Sequence, residues 1–165
     1  HSGLSSRLAD RLRQKEGLSY SVGSSLSMGS RQPLSSWNVA VMVAPQNAAR
    51  AEQAFLEELR RARRDGFTSE EVAAARKGII QERAVARSQD NAVASRWMNF
   101  LDLGRNWQFS KDFEARLMAV TPSEVSAAFR KYIDPEQMTL VIAGDTRKGI
   151  ANGRVQLTSR HSHDR

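Results

Sequence analysis

Leu12-Arg13-Gln14-Lys15-Glu16-Gly17-Leu18-Ser19-Tyr20 is the stretch whose reading decides the fold. Ser5-Ser6-Arg7-Leu8 stands just upstream. Leu4, Leu8 and Leu12 recur at helical spacing, so the segment before Gly17 reads as an amphipathic helix over about residues 3–16. Lys15 and Glu16 fill its last turn, and Gly17 suits the position after a helix because it accepts positive φ without steric cost. The period then changes to two. Leu18, Tyr20 and Val22, then Leu26 and Met28, alternate with Ser and Gly, which is a strand over about 18–28. Arg13 therefore closes a helix and Tyr20 opens the strand that leaves it. One tight corner joins them, so a guanidinium and a phenol can converge on one point of a cleft.

Working outward, Trp37, Val39, Val41 and Val43 share one face of a second strand over about 35–44, with Asn38, Ala40 and Met42 on the other. Gly29-Ser30-Arg31-Gln32-Pro33 between the strands is rich in turn formers, which predicts an antiparallel hairpin with a longer loop. One apolar face fits a sheet covered by helices on one side.

A helical block follows. Ala51, Phe55, Leu59 and Ala62 form a stripe on a helix over 47–64, which Gly66 ends. Thr68-Ser69-Glu70-Glu71 is a capping box that starts a helix running to about Ser88. Further helices are expected over about 90–103 and 110–119. Thr121-Pro122-Ser123-Glu124 is a second capping box, with Pro at the first helical position, and its helix ends near Tyr132. Met138 to Ala143 reads as a closing strand. Residues 146–165 lose periodicity and read as a basic, polar, flexible tail. His161 and His163 lie in it, and a metal site on such a terminus is not expected.

The ordered set resembles the C-terminal half of pitrilysin/insulinase-family zinc peptidases, in particular bacterial two-half members of the processing-peptidase-like type. The matching pieces are Ser6-Arg7-Leu8, then Leu12-Arg13 through Tyr20, Trp37 to Val43, and Pro45-Gln46-Asn47. Gly66-Phe67-Thr68 with Glu70-Glu71-Val72, Val120-Thr121-Pro122 with Glu124-Val125, Tyr132-Ile133-Asp134-Pro135 and Val141 to Asp145 complete it. The match runs from about residue 3 to about 145. It implies an α+β fold, an antiparallel sheet covered on one face by helices. Residues 1–145 would form the C-terminal half-domain, lacking the first strand and helix that precede the Ser-Arg-Leu helix in the family.

The same resemblance implies a division of labour. Zinc sits on H-x-x-E-H in the other half, where two His one turn apart are ligands and the Glu is a general base. This chain has only His1, His161 and His163, and none belongs to that pattern. The implied cofactor is zinc in the assembled enzyme, not bound here. The implied partners are an H-x-x-E-H-bearing half, in the same polypeptide or a separate subunit, and a peptide substrate. Arg13 and Tyr20 are the implied site pair: tyrosine donates to the substrate carbonyl as it becomes an oxyanion, and arginine holds the peptide backbone. Arg7, in the Ser-Arg-Leu motif, is expected to be structural, pairing with Asp10 or nearby carbonyls. Trp37, Trp97 and Trp107 are expected to pack.

Bulk properties bound the alternatives. The 165 residues suffice for one domain with a real core, and 40% hydrophobic content is globular. No cysteine is present, which excludes disulfides and thiolate metal sites. No apolar run approaches the roughly 18–20 residues of a membrane span. Localisation stays open between bacterial periplasm and cytoplasm. The net charge of +7 raises a third reading, a basic helical nucleic-acid-binding module. It is discounted because the basic residues alternate with Glu and Ala along helices. The densest cluster, Arg60, Arg61, Arg63 and Arg64, ends a helix, where cations suit the dipole. A non-catalytic partner or scaffold subunit of the same fold is the other alternative. It differs from the peptidase half only in whether an H-x-x-E-H half accompanies it.

Overall fold

The computed structural model describes residues 4–31 and 35–144. It opens on α1, Leu4–Ala9, which widens into a π-helical segment, Asp10–Lys15. There Glu16 N donates to Arg11 O, five residues back, at 3.0 Å. Leucines four apart drift by about 40° per step around a straight α-helix of 3.6 residues per turn. A wider turn offsets that drift, and Leu8 and Leu12 are both fully buried. Gly17, at φ +61°, then reverses the chain, and Leu18 N closes the corner on Leu12 O at 2.8 Å. The reach is one residue longer than in a Schellman motif, because the last turn is widened. The single helix expected over 3–16 is thus two segments of different pitch.

Strands β1, Ser19–Met28, and β2, Ser35–Val43, pair antiparallel from Ser19↔Val43 to Met28↔Ser35. The ladder slips once, between Ser19 and Ser21, so Tyr20 is the extra residue of a β-bulge. On β2 the expected alternation holds: Trp37, Val39, Val41 and Val43 face the covered side, while Asn38, Ala40 and Met42 are exposed. Leu8, Leu12, Leu18, Ala51 and Ala54 form the core beneath the sheet, with Leu4, Val22, Val39, Val41, Val43 and Phe55 against it. One face of the sheet is covered and the other is open. The architecture is α+β, as the resemblance implies.

A 3-10 turn, Pro45–Asn47, leads into α2, Ala48–Asp65, which covers the sheet beside α1. Leu59 and Ala62 on its stripe are buried. Helices α3, Ser69–Ala86, α4, Asp90–Asp102, α5, Trp107–Ala119, and α6, Pro122–Tyr132, follow. Both expected capping boxes form, Thr68 with Glu71 and Thr121 with Glu124. Helix α5 starts three residues earlier than its apolar pattern suggests, because Asn106 Oδ1 accepts from Gln108 N at 3.0 Å and so caps it. Trp97 and Phe100 pack on Trp107 at 5.9 and 6.0 Å, which joins α4 to α5.

The expected closing strand does not form. After the 3-10 turn Pro135–Gln137, residues 138–143 pair with no strand among the described residues, and the sheet is β1–β2 alone. Leu140 and Val141 are exposed. A strand is defined by its neighbour's hydrogen bonds, and alternation of Met138, Leu140 and Ile142 cannot supply a neighbour. The expected tail, 146–165, with His161 and His163, lies outside the described residues, as does His1.

Candidate substrate-side site

Three arginines leave the first helical segments, and the structure treats them differently. Arg7 is tied to the start of α3. Its Nη2 donates to Glu71 Oε2 at 2.6 Å and to Gly66 O at 2.9 Å, Nε donates to Glu71 Oε1, and the guanidinium lies 5.1 Å from the Phe67 ring centroid. The Arg7 hydrogen bonds hold the Glu71 carboxyl below its ordinary range, against the opposing effect of burial. Arg7 is structural, as expected: it finds a carbonyl in Gly66, and its carboxylate partner is Glu71 rather than Asp10. Arg11 is tied to α2. It donates to Glu16 at 3.0 Å and to Glu57, and lies 3.8 Å from the buried Glu58.

Arg13 is the exception. It is exposed on the π-helical segment and makes no hydrogen bond or ion pair among the described residues. Its neighbours Leu12 and Arg11 anchor the backbone on both counts, one by burial and one by charge. An exposed side chain is therefore carried on a backbone that is fixed on both counts.

Tyr20 lies across the Gly17 corner from Arg13. Simple alternation from Leu18 through Tyr20 to Val22 would put all three side chains on the core face. The bulge breaks that parity. Ser19 and Val22 stay on the core side, while Tyr20 and Ser21 both oppose Met42 on the open face. Tyr20 is accordingly 72% exposed, rather than half-buried as an ordinary strand aromatic would be. Its hydroxyl has no partner among the described residues. Bulges re-aim side chains in this way next to functional sites. Beyond Met42 the floor is small or polar: Gly23, Ser25, Asn38 and Ala40 share the open face, and a Cβ on Gly23 would meet nothing within 4 Å. No hydrogen bond joins Arg13 to Tyr20. Both are presented to the outside rather than to each other.

The helix that leads into this corner is fastened by a joint between four elements. Gly66, at φ +74° and ψ −160°, ends α2 against Ser126 of α6. Ser126 Oγ accepts from Phe67 N at 3.0 Å and donates to Pro122 O at 2.7 Å. Phe129 meets Phe67 at 5.3 Å and Trp37 at 6.4 Å, edge to face. Arg7, Glu71, Gly66, Phe67, Ser126 and Phe129 thus fasten the motif helix to α3, α6 and β2.

Residues 1–79 match the sequence model of the family described as Peptidase M16 inactive domain. Over those residues the chain is similar to that family. The match spans α1, the π-helical segment, both strands, α2 and the first part of α3, which contain Arg13 and Tyr20. The fold of the chain agrees with solved structures beyond that range. The crystal structure of a peptidase M16 inactive domain from Pseudomonas fluorescens superposes with a TM-score of 0.65 at 19% identity, covering 82% of this chain and 32% of that one. The periplasmic protease PqqL from Escherichia coli superposes with a TM-score of 0.65 at 18% identity, covering 79% of this chain and 14% of that one. The chain therefore spans about a third or less of the proteins it resembles in structure. No curated protein sequence matches it.

Zinc, which the resemblance implies, finds no ligand set among the described residues. Among the described residues no three His, Cys, Asp or Glu side chains group as metal ligands, and the sequence contains no H-x-x-E-H. Among the same residues no helix is long and apolar enough to cross a membrane.

Proposed function

We propose that this chain is the substrate-side half of a zinc-dependent endopeptidase, with Arg13 and Tyr20 as the residues that meet the peptide. The observation that carries the reading is the selective exposure of this pair. Arg7 and Arg11 are bound to carboxylates, whereas Arg13 and Tyr20, on either side of one anchored corner, have no partner among the described residues. The family match covers that corner, and it supports the reading in the same direction.

The chemistry assigned to this half is electrostatic. The Tyr20 phenol donates a hydrogen bond to the scissile carbonyl oxygen as that oxygen gains negative charge. The bond strengthens toward the transition state, so it lowers the barrier rather than only tightening binding. The Arg13 guanidinium is placed to contact the peptide backbone. It offers forked donors to peptide carbonyls and fixes the substrate's register. Zinc and its H-x-x-E-H motif belong to the other half, and no step assigned here runs through the metal.

The test is reconstitution. Peptide cleavage is assayed for this chain alone and joined to an H-x-x-E-H half from its own polypeptide or complex. Cleavage only in the joined form supports the proposal. A joined form that assembles with zinc and cleaves nothing leaves a non-catalytic partner of the same fold and overturns the assignment.

A further inference from the structure

Arg60, Arg63 and Arg64 stand in the last turns of α2, and Arg130 stands in the last turn of α6. The attraction of cations to helix C-termini accounts for each of them singly. It does not account for their convergence. The four guanidiniums, with Asp134 and Glu136, line one open depression of about 350 Å³ between the ends of the two helices.

The carboxylates in that wall are already engaged. Glu136 Oε1 accepts from Arg60 Nη2 at 2.7 Å. Asp134 caps the following turn, accepting from Glu136 N and from Gln137 Nε2, each at 3.1 Å. Arg63 Nη1 donates to Ile133 O. Arg64 reaches only its own neighbour, Asp65, at 2.8 Å. Arg130 is exposed and has no hydrogen bond or ion pair among the described residues. Each guanidinium carries five N–H donors in a planar fork. The wall therefore holds a surplus of forked donors and positive charge over acceptors, in a hollow large enough for a small, multiply charged anion.

We propose that this depression binds an oxyanion, carried either by a phosphate group or by the carboxylates of an acidic ligand. Arg130 and Arg64 are its principal donors, and Arg60 and Arg63 are held in place by Glu136 and the Ile133 carbonyl. The site is separate from the Arg13/Tyr20 corner and does not depend on peptidase activity.

The experiment is calorimetric titration of the whole chain, at fixed ionic strength, with inorganic pyrophosphate and separately with citrate. Saturable binding of either is expected. Arg130→Ala and Arg64→Ala should each weaken it about tenfold, the worth of one charge-assisted contact. Arg116→Ala, which removes the same charge from an exposed position on α5, should leave it nearly unchanged. All three variants lie on exposed helix surface, and circular dichroism checks that they fold. Binding of pyrophosphate alone assigns a phosphate ligand, and binding of citrate alone assigns a carboxylate ligand. Absence of saturable binding by both anions overturns the proposal. So does equal weakening by all three substitutions, which would reduce the effect to net charge.

Discussion

Replacing Arg7 by Met removes the fastening of the motif helix while keeping most of its apolar volume. Three interactions go at once: the two-pronged pair with Glu71, the bond to Gly66 O, and the contact with the Phe67 ring. The Arg7 and Glu71 side chains are 19% and 23% exposed, so the pair falls between two regimes. Breaking a buried pair costs about 3–5 kcal/mol, and an exposed one is worth about 0–1 kcal/mol. A partly screened pair at this exposure sits near 1.5 kcal/mol, the Gly66 carbonyl bond adds about 0.5–1 kcal/mol, and the ring contact adds about 0.5 kcal/mol. The expected loss is about 2–3 kcal/mol, a large share of the 5–15 kcal/mol typical of a domain. Urea unfolding followed by circular dichroism measures it. A double-mutant cycle with Glu71→Gln should give a coupling of about 1–2 kcal/mol. A loss under about 0.5 kcal/mol, or additive effects of the two changes, would refute the claim that this pair holds the joint together.

The Glu71 carboxyl is depressed first by the Arg7 hydrogen bonds, and Glu114 first by the hydrogen bond from Arg83. A depressed carboxylate binds fewer protons folded than unfolded. Its stabilisation is therefore complete above the ordinary value of 4.5 and is lost as pH falls through the lower folded value. Unfolding midpoints should drop below about pH 4.5 in the native chain and drop less in Glu71→Gln; parallel pH profiles would contradict this. Gly66→Ala places a Cβ 2.6 Å from Ser126 Oγ, on a backbone that is nearly glycine-only, and should cost about 1–3 kcal/mol in thermal unfolding. A Gly66→Ala protein as stable as the native one would mean that α2 ends differently. Asn106→Ala removes the α5 cap and should cost about 1 kcal/mol, against no change if the helix starts downstream at its apolar stripe.

What the sequence displays is what local chemistry encodes. Thr68 and Glu71, or Thr121 and Glu124, carry their helix start within four residues, and both boxes form as spaced. The alternation of Trp37, Val39, Val41 and Val43 likewise names its own buried face. The π-helical segment has no such code, because it arises from holding Leu8 and Leu12 in one core with Leu18. Arg7's carboxylate partner lies 64 residues away, so Asp10, near in sequence, is not the one it meets, while the expected carbonyl contact forms with Gly66. The bulge at Tyr20 is hidden for a related reason. Alternation assumes an unbroken ladder, and only the pairing with Met42 and Val43 shows the slip. The closing strand over 138–143 fails in the reverse sense: its residues alternate, but pairing is a property of two segments. For the site, sequence resemblance selects Arg13 and Tyr20, and the fold adds that they are presented outward while Arg7 and Arg11 are tied down.

The measurement closest to the central claim is steady-state turnover of Tyr20→Phe in the assembly proposed above, this chain joined to an H-x-x-E-H half. The substitution deletes one hydroxyl from a side chain that is 72% exposed and has no partner among the described residues, so folding should be unaffected. Loss of one oxyanion donor should lower kcat by about 10²–10³ with little change in KM. A Phe variant with native kcat would contradict the account, and Tyr20 would then be an exposed strand residue with no part in the reaction.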